Sequence, residues 1–139
     1  MTFAKRVFLI AGIYGLIVLV PQYFLEAKTS ADYPPAITHP EYYYGFIGVA
    51  VAWQLVFFLI SRDPIRFRPI MLAAIVEKAA FGLPAIALYA AGRLHAEMLL
   101  AGLLDLSLGV LFVLAYARTA KAAAALNLEH EDTKSTKTR

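Results

Sequence analysis

The side chains best able to do chemistry are two carboxylates that interrupt long apolar stretches. Glu77 lies near the middle of the apolar block 69–91, directly before Lys78, and Asp105 lies inside the block 98–117. On insertion scales, a charged side chain at the centre of a membrane helix costs roughly 2.5 to 3.5 kcal/mol. We therefore expect these residues to face other helices or a wet cavity rather than lipid.

The composition predicts that these blocks are membrane helices. Of the 139 residues, 60% are hydrophobic and 17% are charged. The hydrophobic residues form four blocks of about 20 residues, the length that spans a hydrocarbon core of about 30 Å. We predict an all-α, four-transmembrane-helix bundle over residues 1–118, with a cytoplasmic, partly disordered tail over 119–139. The segment RTAKAAAALN predicts a helical extension of the fourth span, and the polar segment HEDTKSTKTR is predicted to be disordered. The predicted spans are about 7–27, 43–60, 69–91 and 98–117.

The first block has two interpretations. Lys5 and Arg6 precede it, and a basic start followed by an apolar run is also typical of a signal peptide. The run is longer than the usual h-region of about 7 to 15 residues, and no A-x-A cleavage site follows it. We therefore predict a retained helix.

The positive charges predict the orientation of the chain. Only Lys28 and Arg93 fall on one side of the predicted spans, and Lys78 lies within the membrane. By the positive-inside rule, both termini of this multi-pass protein are cytoplasmic, and the membrane is predicted to be the cell inner membrane. The side predicted to be cytoplasmic carries Lys5, Arg6, Arg62, Arg66, Arg68, Arg118, Lys121, Lys134, Lys137 and Arg139.

A glutamine joins the charged residues in a predicted polar core of Gln54, Glu77, Lys78 and Asp105. From the helical rise, Gln54, Glu77 and Asp105 lie roughly 9, 12 and 18 Å from the cytoplasmic face. Two carboxylates close together in a low dielectric are not expected to ionise together, which suits a proton relay, a general acid or a polar ligand pocket. In the structural alternative, Glu77 pairs with Lys78 or with another helix and only fixes packing.

Small residues predict which helix faces meet. Gly102 and Gly109 flank Asp105 at spacings of 3 and 4, which places Asp105 in a groove of small residues. A second set on the second span predicts another face for close helix approach: Gly45, Gly48 and Ala52.

His39 and Glu41 lie at the outer mouth of the second span, at the end of the loop predicted over 28–41. Glu41 would complement the positive end of the helix, and we favour this capping or interfacial role over metal ligation or proton transfer. The chain has no cysteine, which excludes thiolate metal sites. We predict no metal and no cofactor.

Three segments carry a resemblance to a known group of proteins: HPEYYYGFIGVAVAWQ, SRDPIRFRP with the following EK pair, and GLLDLSLGVLFVLAY. Over residues 5–118 the chain resembles the small bacterial four-helix membrane proteins grouped as DoxX-like, which are similar in outline to EXPERA-type domains. The resemblance implies a compact left-handed bundle with a central pocket for a small apolar or sterol-like ligand, or a component of a respiratory or redox complex. No catalytic motif of the EXPERA enzymes matches residue by residue, so no active site is implied.

Three functions fit this pattern. We favour a non-enzymatic inner-membrane protein that binds a small apolar ligand or supports a membrane complex. The alternatives are an intramembrane isomerase or oxidoreductase that uses Glu77 or Asp105 as acid or base, and a transporter or channel subunit. The expected partners are the lipid bilayer, a small apolar ligand and a membrane protein or second copy. Nucleic acid is not expected, since no basic patch with interleaved aromatics lies outside the spans.

Overall fold

The computed structural model describes the backbone of residues 2–137 and the side chains of residues 2–125, and over this range it contains helices and no strand. A short 3₁₀ segment, Val20–Phe24, prolongs the first helix. The prediction of an all-α four-helix bundle is confirmed. The helices are α1 (Phe3–Leu19), α2 (Glu26–Asp32), α3 (Pro40–Arg62), α4 (Arg68–Ala90) and α5 (Ala96–Lys137).

Four of these helices are long and apolar enough to cross a membrane: α1 with its 3₁₀ extension, α3, α4 and α5. α3 and α4 each have 23 residues. That length gives roughly 35 Å at the helical rise, enough for a hydrocarbon core of about 30 Å. Large apolar side chains such as Ile10, Ile17 and Val110 are more than half exposed on the outside, where they suit lipid. The chain is therefore a small multi-pass membrane protein.

Proline and glycine set several helix ends. Pro40 and Pro69 occupy the first turns of α3 and α4. Backbone N–H groups there have no acceptor within the helix, so proline loses no hydrogen bond at these positions. Gly92 follows α4 with a φ of 68°, a left-handed conformation that glycine adopts without strain. The turns 63–67 and 91–95 are short, so α3, α4 and α5 run antiparallel to their neighbours in sequence.

The bundle consists of two closely packed helix pairs. α4 packs most extensively against α5, and α1 packs against α3. Contacts between α1 and α5 join the pairs, whereas α3 and α4 touch over a much smaller area. The loose contact between α3 and α4 leaves space on that side of the bundle.

Three phenylalanines from three helices form the centre of the core. Phe8 of α1, Phe57 of α3 and Phe112 of α5 are fully buried. The rings of Phe8 and Phe112 stack with their centroids 4.2 Å apart, and Phe57 meets Phe112 edge to face at 5.0 Å. Because lipid is as apolar as these rings, they stabilise the fold through close packing rather than through removal from water.

Two glycines let the backbones of α4 and α5 approach closely. A Cβ atom added to Gly82 would lie 2.8 Å from the carbonyl oxygen of Gly102, and one added to Gly102 would lie 2.6 Å from Cβ of Ala85. A side chain at either glycine would push the helices apart. This contact sets how closely α4 and α5 approach, and so the distance over which their side chains can meet.

The first span begins earlier than predicted. α1 starts at Phe3 rather than at residue 7, so the basic pair Lys5 and Arg6 lies within the helix, and the span ends at Phe24 rather than at residue 27. The hydroxyl of Thr2 accepts a hydrogen bond from the Lys5 amide N–H at 3.5 Å. This cap explains why the helix extends past the apolar block toward the N-terminus.

The loop predicted over 28–41 is partly helical. Residues 28–32 belong to α2, where Lys28 donates a hydrogen bond to the carboxylate of Asp32 one turn later. This hydrogen bond raises the pKa of Lys28 above its ordinary value. The i,i+4 pair stabilises this short helix. The prolines that follow it, Pro34, Pro35 and Pro40, are typical of a loop and led to the prediction of one over the whole segment.

α5 continues far beyond the predicted fourth span. It runs to Lys137, so residues 119–137 of the predicted cytoplasmic tail continue the helix, and residues 138–139 lie outside the described range. Alanine predominates just after the span, and alanine has the highest helix propensity. The side of the membrane on which this tail lies, and its partial disorder, stay predictions.

The small-residue face predicted on α3 does not meet another helix backbone. A Cβ atom added to Gly45 would have no neighbour within 4 Å, and one added to Gly48 would contact only the hydroxyl of Tyr23. Ala52 is exposed. That prediction is wrong, because a different set of residues at helical spacing forms the buried face. These are Ile47, Ala50, Gln54, Phe57 and Ile60.

Candidate functional site

Lys78 of α4 joins two carboxylates inside the bundle. Its Nζ lies 3.1 Å from Oδ1 of Asp105 on α5 and 3.2 Å from Oε2 of Glu77 on its own helix. The Lys78 side chain is only 6% exposed, against 18% for Glu77 and 19% for Asp105. The structure thus brings three of the four predicted polar-core residues together, and we call Glu77, Lys78 and Asp105 the charge cluster.

The hydrogen bonds of the charge cluster are uneven. Nζ of Lys78 donates to Oδ1 of Asp105 at 3.1 Å and to Oε1 of Glu77 at 3.4 Å. Oε2 of Glu77 lies closer to Nζ, but the angles there do not suit a hydrogen bond, so this buried oxygen has an ionic contact and no hydrogen-bond donor. Glu77 is therefore the less satisfied of the two carboxylates.

Glu77 and Lys78 face different neighbours, as the 100° step between consecutive helical residues requires. Lys78 faces α5, and its Nζ also lies 5.3 Å from the ring centroid of Phe57 on α3, within range of a cation–π contact. Glu77 faces the space between α3 and α4. The lysine therefore holds the cluster to the bundle, while Glu77 is the member that lines this space.

Glycines on α5 make room for the lysine. A Cβ atom added to Gly109 would lie 3.3 Å from Cβ of Lys78, so any side chain there would crowd the stem of the lysine. Gly102, one turn before Asp105, lies in the close contact between α4 and α5. The groove of small residues predicted around Asp105 is present, and it positions the carboxylate opposite Nζ.

Gln54 is directed toward α1. Its Nε2 donates a hydrogen bond to the carbonyl oxygen of Ala50 at 2.7 Å. Its Oε1 is buried without a hydrogen-bond donor and lies against Gly15 of α1, where a Cβ atom would overlap it. Among the side chains the structure describes, Gln54 makes no hydrogen bond with the charge cluster. Its role as part of a shared polar layer stays a prediction.

His39 and Glu41 form an exposed pair at the start of α3. Nδ1 of His39 lies 3.1 Å from Oε1 of Glu41, and the His39 ring lies 5.5 Å from the ring of Tyr42. Within the described residues, no group of three or more histidine, aspartate or glutamate side chains is placed to hold a metal ion. The pair lies in the first turn of α3, well removed along the chain from the charge cluster.

A cleft opens on the side of the bundle where α3 and α4 separate. It has a volume of about 580 Å³, and among the described side chains that line it Glu77 alone is charged. The rings of Phe46 and Phe81 approach across it with centroids 6.0 Å apart. The cleft is lined by Phe46, Val49, Ala50 and Trp53 of α3 and by Ala73, Val76, Glu77, Ala80 and Phe81 of α4.

The aromatic residues of this cleft were not among the predicted site residues. Phe46, Trp53 and Phe81 lie within the predicted second and third spans and outside the predicted polar core. One signal was available, since Phe46, Val49 and Trp53 recur at spacings of 3 and 4 and so share one face of α3. A face of this kind is equally typical of lipid exposure, and the sequence does not distinguish the two.

The fold and the charge cluster together define a small four-span membrane protein with a buried lysine and two carboxylates beside a lateral apolar cleft. Comparison of the chain with models of known protein families, with curated proteins and with solved structures finds no match. The function must therefore be argued from the site itself.

Proposed function

We propose that this protein binds a small, largely apolar molecule from the bilayer in the cleft between α3 and α4, with Glu77 as the polar anchor. The observation that carries the proposal is the pairing of a cleft of about 580 Å³ with a single charged lining residue. Ligand sites are typically concave, mostly apolar and equipped with a few polar groups that fix orientation. The volume suits a ligand of about drug size.

The charge cluster supports this role by holding Glu77 in place. Lys78 contacts the Glu77 carboxylate and is itself held by Asp105 of α5. The glycine contact holds α4 against the same helix. The cleft wall that carries Glu77 is therefore held against α5, whereas the opposite wall, α3, packs against α1. The resemblance to DoxX-like and EXPERA-like proteins implies a pocket for a similar ligand, although here the cleft lies to the side of the phenylalanine core.

Trp53 offers a direct test of ligand binding, because it is the single tryptophan of the chain and lines the cleft. We expect quinones, sterol-like compounds or lipids that enter the cleft to change Trp53 fluorescence in a saturable way in the detergent-purified protein. Filling the cleft with Ala80→Phe should raise the Kd about tenfold or more, a loss of about 1.4 kcal/mol.

Ala87→Phe is the matched control for this experiment. Ala87 is exposed on α4 two turns after Ala80 and does not line the cleft. Its replacement should leave the titration unchanged. If no compound gives a saturable change, or if Ala80→Phe binds as the wild type does, the proposed cleft is not a binding site.

We also propose that both termini face the cytoplasm, with the protein in the inner membrane. The supporting observation is the clustering of cations at one end of the bundle. Cζ of Arg68 lies 3.6 Å from the ring centroid of Tyr116, and Cζ of Arg118 lies 4.3 Å from that of Phe3. These contacts gather the start of α1, the start of α4 and the later part of α5 at one end, where positive charge favours the cytoplasmic side.

Single cysteines test this orientation, because the chain has none of its own. In intact cells, a membrane-impermeant maleimide should label Ala36→Cys, in the loop before α3. It should label Ile65→Cys, between α3 and α4, only after the membrane is permeabilised. The opposite pattern of labelling would contradict the proposed orientation and place both termini on the other side of the membrane.

A further inference from the structure

The charge cluster contains one positive and two negative side chains, and among the residues that the structure describes the cleft lining adds no second positive charge. Lys78 contacts both Glu77 and Asp105. The four cleft residues contributed by α3 are uncharged, and Glu77 is the only charged residue among those contributed by α4. If all three groups of the cluster are ionised, the site carries a net negative charge inside the membrane.

An uncompensated charge at this depth is unfavourable, because neither lipid nor the apolar cleft wall solvates it. Two things can neutralise the cluster: a proton on a carboxylate, or a cation in the cleft. Lys78 is almost fully buried and already shared between both acids. An added cation must therefore approach Glu77, the cluster residue that lines the cleft.

The walls of the cleft favour a cation with an apolar body. Phe46, Trp53 and Phe81 place three aromatic rings in its lining. Aromatic faces attract ammonium groups, by about 2 kcal/mol or more where the site is dry. The remaining lining residues are Val and Ala, which suit hydrocarbon. A neutral apolar ligand would fill the cleft but would leave the charge of the cluster unchanged.

We propose that the occupant of the cleft is a lipophilic cation, an organic ammonium with an apolar body, and that it enters in exchange for a proton on Glu77. This inference rests on the proposed function of the cleft. In the free protein, the carboxyl group of Glu77 holds the proton and the cluster is neutral. When the cation binds, the O–H bond of Glu77 breaks, the proton passes to water, and the carboxylate pairs with the ammonium, so the total charge of the site is conserved.

Two isosteric probes test the inference on the full chain in neutral detergent. One is 4-phenylbutyltrimethylammonium, and the other is its neutral analogue in which carbon replaces nitrogen. Trp53 fluorescence reports binding, and a pH indicator in weak buffer reports protons. We expect the ammonium to bind with a Kd about tenfold lower or better, to release about one proton per bound ligand, and to gain about tenfold in affinity per unit rise in pH while the free carboxyl is protonated.

Glu77→Gln separates the role of the acid from that of the cleft. The amide keeps the shape of the side chain but cannot exchange a proton, so in this variant the two probes should bind with similar affinity and neither should release a proton. The comparison of the two probes in the wild type needs no variant, so the test does not depend on whether Glu77→Gln folds.

The outcomes distinguish this inference from the proposed function. Saturable binding of both probes with equal affinity would leave the cleft as a ligand site and overturn the inference of a cation. Preference for the ammonium without proton release would overturn the exchange. If neither these probes nor the compounds tested above bind, both the inference and the proposed function fail.

Discussion

Replacing Lys78 with methionine is expected to destabilise the protein by about 3 to 5 kcal/mol, the range observed when one partner of a buried ion pair is removed. The substitution keeps an unbranched apolar stem of similar length but removes the ammonium that lies 3.1 Å from Asp105 and 3.2 Å from Glu77. The Asp105 carboxylate then remains in the bundle without its cation, beside the carboxyl group of Glu77. The measurement is thermal unfolding in a fixed detergent, followed by Trp53 fluorescence.

Two further variants identify the cause of this loss. Lys28→Met removes an exposed lysine from a surface pair with Asp32 and should change the melting temperature little, since surface pairs contribute little. Glu77→Gln and Asp105→Asn, introduced together with Lys78→Met, should restore most of the stability because no unpaired charge remains. If Lys78→Met has the same melting temperature as the wild type, the carboxylates do not depend on the lysine, and the charge cluster does not hold α4 to α5.

The four spans could be predicted because the membrane imposes a length on any helix that crosses it. Apolar blocks of about 20 residues, separated by prolines and charges, leave few alternatives once the backbone must satisfy its own hydrogen bonds. The helix ends were less predictable. α1 begins at Phe3 because a cap extends it beyond the apolar core, where hydropathy gives no signal. The alanine-rich segment after the fourth span did predict the first part of the α5 extension, but not its continuation to Lys137.

The meeting of Lys78 and Asp105 could be anticipated because the helical rise places α4 and α5 residues at comparable depth and the glycines around Asp105 turn it toward another helix. The direction of Gln54 does not follow, because depth along a helix axis says nothing about rotation around it. Gln54 lies on the stripe that runs from Ala50 to Phe57, and that stripe faces α1. The small residues Gly45, Gly48 and Ala52 predicted a different buried face. In the structure the buried face of α3 carries Ile47, Phe57 and Ile60 instead.

The cleft could not be predicted because it is a property of how helices pair. It exists since α4 packs closely with α5 and α1 with α3, which leaves α3 and α4 in slight contact. Trp53 and Phe81 become neighbours of one space only through that pairing. In the sequence they are two aromatic residues on separate helices, with no periodic relation between them.

The second large effect is expected at the contact between α4 and α5. Gly102→Ala should destabilise the protein by about 1 to 3 kcal/mol, the usual cost of overpacking, because the new Cβ would lie 2.6 Å from Cβ of Ala85. The helices must separate to relieve this overlap, and the separation also draws Asp105 away from Lys78. We expect a lower melting temperature in the same detergent assay.

Gly45→Ala is the matched control for Gly102→Ala. Both substitutions remove a helical glycine and gain up to about 1 kcal/mol of helix propensity, but a Cβ atom at Gly45 meets nothing within 4 Å. Gly45→Ala should therefore melt at or above the wild-type temperature. Removing the opposing methyl group with Ala85→Gly should rescue Gly102→Ala, because the overlap disappears while the backbones stay close. If Gly102→Ala and Gly45→Ala melt alike, α4 and α5 have room for a side chain, and glycine at position 102 is not what sets the distance between Lys78 and Asp105.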